Sequence, residues 1–195
     1  TFTPSPTVTE TPLPTPTNTP TPLPVEYGPD NFPAQVNPLT GLAVADPQLL
    51  ERRPVAVKIN LVPRTSNRPP WGVSFADIVY DYYHNAGYSR LFAIFYGQDA
   101  ELVGPIRSGR MLDADLVMMY KPIFAYGSAD KLINDRLLNA YYTPQLILEG
   151  QRSNCPPTAA APLCRFDPQG YDFLLASSAA LSEHASAQKI SNERQ

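Results

Sequence analysis

The first 24 residues, TFTPSPTVTETPLPTPTNTPTPLP, constrain this chain more than any other stretch, because they exclude regular structure where they stand. Nine of them are Thr, eight are Pro, and Glu10 carries the only charge. Each Pro lacks a backbone donor and steers the residue before it away from the helical region, so neither a helix nor a sheet interior can form. Too few large apolar groups are present to offset chain entropy, and the segment is expected to be a disordered, extended spacer. At about 3.1 Å per residue it reaches on the order of 75 Å. Thr/Pro tracts of this kind suit O-glycosylated stalks, and a plain interdomain linker has the same physics.

The remainder of the 195-residue chain is large enough for one ordinary domain, and a 43% hydrophobic content supports a core. Net charge is −3 with pI near 5.3. That balance excludes a broad nucleic-acid surface, which needs clustered excess Lys and Arg, and leaves no polybasic patch for anionic lipid. No apolar run approaches the roughly 18–20 residues needed to span a bilayer. The sequence opens on Thr1 with no basic-then-apolar leader, so it is read as following a removed signal peptide, with any membrane tether outside it.

Residues 25–50 are rich in turns (Asn37-Pro38-Leu39-Thr40-Gly41, Asp46-Pro47) and read as a lead-in packed through leucines. Alternation of Val55, Val57 and Ile59 predicts a half-buried strand over residues 54–60. Residues 76–83 and 90–96 read as an antiparallel hairpin turning at His84–Gly87, followed by a short strand at Glu101–Val103. A helix is expected over Met111–Met119 with Leu112, Leu116 and Met119 inward, then a strand over 122–126. A second helix is expected over Ala129–Leu138 with Ser128 as its cap, a short strand at 145–148, and a last helix over Tyr171–Ser186. The expected class is α/β (α+β): a mixed β-sheet with an antiparallel hairpin and helices packed on it, over residues 25–188, with 189–195 a frayed end.

Cys155 and Cys164 enclose a Pro/Ala-rich loop at a spacing that suits neither zinc nor a redox pair. In an oxidising compartment they are expected to form a disulfide; two separate thiols in a loop are the alternative.

Five ordered words carry a family resemblance: Asn37-Pro38-Leu39-Thr40-Gly41-Leu42, Arg53-Pro54-Val55-Ala56-Val57-Lys58-Ile59-Asn60, Ala76-Asp77-Ile78-Val79-Tyr80, Gly104-Pro105-Ile106-Arg107-Ser108-Gly109-Arg110 and Tyr126-Gly127-Ser128. In this order they resemble the YerB-like lipoproteins (domain of unknown function 3048), over roughly residues 35 to 185. The resemblance implies an exported, often lipid-anchored bacterial protein with an N-terminal α/β domain and a smaller C-terminal one. On that resemblance, these 195 residues would reach only the start of the second domain. The family pattern more often has Glu at the position of Asp81, and the Cys155–Cys164 loop is a local elaboration. No activity comes with the resemblance.

Candidate chemistry centres on Arg107-Ser108-Gly109-Arg110, between a strand and a helix start. Helix N-terminal amides and the helix dipole favour an anion there, and Arg107 or Arg110 can clamp a carboxylate or phosphate. The structural alternative has Ser108 as a cap and the arginines paired with Asp77, Asp81 or Asp113. Ser128 stands at a second strand-to-helix junction, on the same sheet edge if the two strands are neighbours. Asp77 and Asp81, four apart on a strand, share a face and suit acid–base work or contact with Arg90 or Arg107. His84 and His184 fit no triad or metal spacing, and no metal or cofactor is expected. A row of tyrosines (Tyr80, Tyr82, Tyr83, Tyr88, Tyr96) suits sugar or peptide binding if exposed and cross-strand packing if covered.

The leading expectation is therefore an extracytoplasmic, surface-tethered binding or scaffold domain. Arg107, Ser108, Arg110, Ser128, Asp77, Asp81 and Arg90 would be its ligand residues. Its partner would be an anionic envelope component or another protein. The competing expectation is an envelope hydrolase or transferase using Asp77 and Asp81 with Arg107, and a purely structural spacer domain comes third.

Overall fold

The structure is a computed structural model describing residues 28, 31–150, 153–167 and 173–194. The Thr/Pro segment of residues 1–24 lies outside the described residues.

In chain order the elements are β1 (Val55–Asn60), α1 (Arg64–Asn67), β2 (Ile78–Asn85), β3 (Tyr88–Phe95), α2 (Met111–Tyr120), β4 (Ile123–Ala125), α3 (Lys131–Leu138), β5 (Leu146–Ile147), β6 (Leu163–Arg165), β7 (Leu174–Ala176) and α4 (Ser178–Ala187). Five strands form one sheet in the order β2-β3-β1-β4-β5. Strand β1 pairs antiparallel with β3 and parallel with β4, and β4 pairs parallel with β5. The sheet is thus mixed and the class α+β, as the order of the patterns predicts. Strands β2 and β3 form the expected antiparallel hairpin. Its turn is tighter than expected: β2 continues through His84 to Asn85, and Ala86 and Gly87 reverse the chain at φ 50° and 76°. Two successive positive φ values match the twist of the flanking strands.

Strand β1 is buried at all six positions rather than alternately. It lies at the centre of the sheet with cover on both faces, so its period-two pattern sorts residues between two cores. Val55, Val57 and Ile59 face one core with Phe95, Leu174, Leu181 and Ala185. Ala56 faces the other with Phe92, Phe124, Tyr126, Leu116, Val117 and Leu137. Helices α2 and α3 cover this second face, while α4 packs on β1 and β4 across the first.

Several local expectations change. Helix α2 buries Asp113, Ala114, Leu116 and Val117, whereas Leu112 and Met119 are exposed, so the inward face is rotated from the apolar stripe. Helix α3 starts two residues later than expected, because Asp130 accepts the Leu132 amide as its cap, and Ser128 is left to another role. The short strand at Glu101–Val103 reduces to a bridge from Val103 to Ala176. The last helix is preceded by β7, which pairs with β6, and Ser177 caps it by accepting from Ala180. The end expected to fray is docked: Ile190 packs on the core, and backbone bonds join Arg53 to Asn192 and Arg194 to Glu51. Cys155 and Cys164 are joined by a disulfide, as the oxidising-compartment reading expects.

Candidate functional site

Strands β1, β4 and β5 run parallel, so their carboxyl ends open on one edge of the sheet, where ligands of such sheets tend to bind. The segment from Pro105 to Gly109 threads into this edge. Asn60 donates its amide to the Pro105 carbonyl (2.8 Å), and Arg107 donates its amide to the Lys58 carbonyl (3.0 Å). On the other side Gly127 donates to the Arg107 carbonyl (3.0 Å) and Gly109 to the Ser128 carbonyl (2.7 Å). The chain around Arg107 is therefore held like a short strand between β1 and the continuation of β4.

This lacing brings the two sequence-predicted junctions together. The Ser108 and Ser128 hydroxyls lie 3.1 Å apart. A pocket of about 210 Å³ opens beside them, lined by Ile106, Arg107, Ser108, Gly127, Ser128, Glu149, Arg165 and Leu174. Glu149 follows β5 and Arg165 ends β6. The Arg165 guanidinium grips the Glu149 carboxylate with two nitrogens, Nε at 2.6 Å from Oε1 and Nη2 on Oε2. A bidentate pair of this kind is directional and fixes the wall it belongs to.

Arg90 and Arg110 stand beside the pocket. Arg90 is 7% exposed and donates from Nη1 to the Ser108 carbonyl at 2.7 Å. Arg110 donates to the Gly109 carbonyl at 2.7 Å. Burial, followed by repulsion from Arg110 and Arg107, pushes the Arg90 guanidinium down to about 10. Burial also lowers Arg110. These guanidinium groups are close enough to repel one another, which makes this corner of the sheet electropositive.

Beneath it lies a buried polar cluster that sequence reading does not identify as a unit. Lys58 and Asp113 are fully buried, with Nζ 3.2 Å from Oδ1, and the Tyr82 hydroxyl contacts both. Asp113 also accepts the Arg110 amide through Oδ2 at 2.6 Å, which anchors the start of α2. Burial pushes Lys58 down to about 8 against the opposing pull of Asp113. Burial and Asp113 push the Tyr82 hydroxyl well above the phenol range. One signal for this cluster lies in the sequence: Lys58 interrupts the apolar run Val55–Ile59 of a strand.

The two aspartates do not join this site. Asp77 accepts the side-chain amide of Asn37 (2.7 Å) and the backbone amides of Tyr96 (2.6 Å) and Gly97 (2.9 Å). Asp81 lies on the exposed side of β2, the edge strand of the sheet. Among the described residues neither pairs with an arginine. Nor is any group of three or more His, Cys, Asp or Glu placed there to hold a metal ion. Tyr80 and Tyr82 are half-buried, and Tyr83 and Tyr88 are exposed, so the tyrosines divide between the faces of the hairpin instead of forming one row. No helix among the described residues is long and apolar enough to cross a membrane.

Comparison with known proteins adds a family context. A family model described as "Protein of unknown function (DUF3048) N-terminal domain" matches residues 39–161. The matched span includes Arg107, Ser108, Ser128 and Glu149 but ends before Arg165. A protein of Bacillus subtilis (strain 168) named "Putative lipoprotein YerB" is 40% identical over 98 residues, covering 50% of this chain and 29% of that protein. The crystal structure of YerB from Bacillus subtilis superposes with a TM-score of 0.67 at 25% identity, covering 82% of this chain and 52% of that one. The chain thus spans less than a third of the named relative and about half of the crystallised one.

Proposed function

Because this chain belongs to the family of proteins of unknown function (DUF3048) through its N-terminal domain, we propose that it is a surface-tethered, extracytoplasmic domain that binds an anion in the Arg107–Ser108–Ser128 pocket. The observation that carries the reading is the meeting of Ser108 and Ser128 in one pocket with Arg107, beside Arg90 and Arg110. A carboxylate or phosphate entering there meets two hydroxyl donors and a local excess of guanidinium charge. Arg165 is balanced by Glu149 and serves as wall more than as ligand.

The tethered location rests on three supports. The Bacillus relative carries the name "Putative lipoprotein YerB". The disulfide suits an oxidising compartment. The Thr/Pro segment has the composition of a spacer. The hydrolase or transferase reading has weaker support, since Asp77 is occupied by three N–H donors and Asp81 faces outward on an edge strand.

The test is an NMR titration of the folded chain with inorganic phosphate and with glycerol phosphate. Saturable amide shifts confined to residues 106–109 and 127–130, lost in Arg107→Ala at unchanged melting temperature, support the reading. Shifts that persist in Arg107→Ala, or an Arg107→Ala chain that unfolds, would overturn it.

A further inference from the structure

A second exposed feature shares no lining residue with the Arg107 pocket. Trp71 is 37% exposed and stands between two hollows. One, of about 370 Å³, is lined by Trp71, Gly72, Phe75, Asp99, Glu101 and Leu102. The other, of about 740 Å³, carries Ser66, Arg68 and Ser74 on its rim. Phe75 is 46% exposed, and the Phe166 ring lies 6.3 Å from the indole.

The segment presenting Trp71 is fixed by its backbone. Trp71 donates to the Gly104 carbonyl (2.8 Å) and accepts from the Gly104 amide (3.2 Å), and Phe75 donates to the Gly72 carbonyl (3.1 Å). Gly72 has φ +73°, and a Cβ there would collide with the Leu102 carbonyl oxygen. The aromatic loop is thereby seated directly against the segment bearing Glu101. On the far side Arg68 Nε donates to the Leu61 carbonyl at 3.1 Å. An aromatic ring held half out of the surface by this many bonds is preorganised, so little ordering cost is left for a ligand to meet.

The rim chemistry selects the ligand. Glu101 is exposed and enters no hydrogen bond or ion pair among the described residues, while Asp99 is occupied by Arg52 at 2.7 Å and by the Ser178 hydroxyl. The negative charge of Glu101 on one side is matched by the positive charge of Arg68 on the other. A cationic ligand lying across the ring would be repelled at the far hollow, and an anionic one at the near hollow. A neutral polyhydroxylated ring suits both: its C–H face stacks on the indole, and its hydroxyls donate to Glu101 and accept from Arg68. Hollows on both sides of the ring give room for a chain to continue past it. We propose that Trp71, Phe75 and Glu101 form a subsite for a neutral glycan chain, separate from the anion pocket.

Trp71 is the only tryptophan in the chain, so its emission reports on this site alone. The full chain is titrated with cellotetraose, chitotetraose and maltotetraose, with choline chloride as the cationic control. At least one sugar is expected to shift Trp71 emission saturably. Glu101→Ala and Phe75→Ala are each expected to weaken that response by about tenfold. Arg107→Ala is expected to leave it unchanged, which keeps this site distinct from the anion pocket. A chain whose emission ignores all three sugars, or answers choline instead, overturns the proposal. So does a sugar response that survives both Glu101→Ala and Phe75→Ala.

Discussion

Lys58 Nζ lies 3.2 Å from Asp113 Oδ1 with neither side chain exposed to solvent, a closed ion pair joining the central strand to α2. Removing one partner from such a pair strands the other charge in a medium that solvates it poorly. Asp113→Ala deletes the carboxylate that holds Lys58, Tyr82 and the Arg110 amide, and is expected to cost roughly 3–5 kcal/mol in urea unfolding. Lys58→Met leaves Asp113 its hydroxyl and amide donors and is expected to cost less. An Asp113→Ala chain within about 1 kcal/mol of the parent would show that the pair contributes no structural constraint.

The same pair gives stability a dependence on alkaline pH. Burial places Lys58 near 8 in the folded chain, below its ordinary value of 10.5. Between those values the unfolded state holds a proton that the folded state has released, so unfolding takes up protons and stability rises with pH. From pH 8 to 10 the parent is expected to gain stability relative to Lys58→Met, measured as the difference between their urea midpoints. A gap that is constant or moves the other way counts against a lowered Lys58.

How far the sequence reveals this molecule depends on whether a residue's role is local. The Val55–Asn60 run and the Gly87 turn announce themselves through periodicity and turn chemistry, and the sheet follows from them. The sequence marks Ser108 and Ser128 as candidates, but their meeting depends on the lacing of residues 105–109 between β1 and the end of β4, which no local pattern specifies. The partners of Lys58 are not legible, because Tyr82 and Asp113 come from a hairpin and a helix whose facing sides are set by tertiary packing. Helix α2 is apolar nearly all round, so its stripe does not specify which side turns inward. Strand β7 falls inside the helix expected over Tyr171–Ser186, because a three-residue strand carries too little pattern to stand apart from the α4 residues that follow it.

Asp77 works as a backbone clamp, and its removal should separate structure from binding. Its carboxylate accepts from Tyr96 and Gly97 where β3 ends, and from Asn37 in the lead-in. Asp77→Ala leaves these part-buried donors without their acceptor and is expected to cost about 2–4 kcal/mol. Phosphate binding at the Arg107 pocket should be retained in whatever fraction stays folded. Loss of phosphate binding from an Asp77→Ala chain of near-parental stability would return Asp77 to the list of ligand residues.

The Cys155–Cys164 disulfide closes a loop with a sequence separation of 9. Closing so short a loop restricts the unfolded chain by about 2–3 kcal/mol. Cys164 lies in buried β6, and His184 Nδ1 meets the Ala159 carbonyl at 2.7 Å, so the loop keeps other attachments after reduction. Dithiothreitol is expected to lower the melting temperature while leaving the circular dichroism spectrum folded. Complete unfolding on reduction would mean that the disulfide, and not the β6–β7 pairing, holds this end of the domain.

His84 offers the most direct reading of the field around the anion pocket. Burial, then the positive charges of Arg90, Arg110 and Lys58, bring its imidazole down to about 4. Above pH 6.5 both states are neutral at this ring; as pH falls from 6.5 towards 4 the unfolded state takes up a proton first, so stability falls. That share of the acid loss is expected to vanish in His84→Asn. With only His184 as the other histidine, the ring resonances are readily assigned by NMR. An anion held beside Arg90 and Arg110 would offset part of the charge that His84 feels, so saturating phosphate is expected to move its titration upward. A His84 that titrates near 6.5 in the free chain would contradict the electropositive corner. One that titrates low but ignores phosphate would place any bound anion elsewhere.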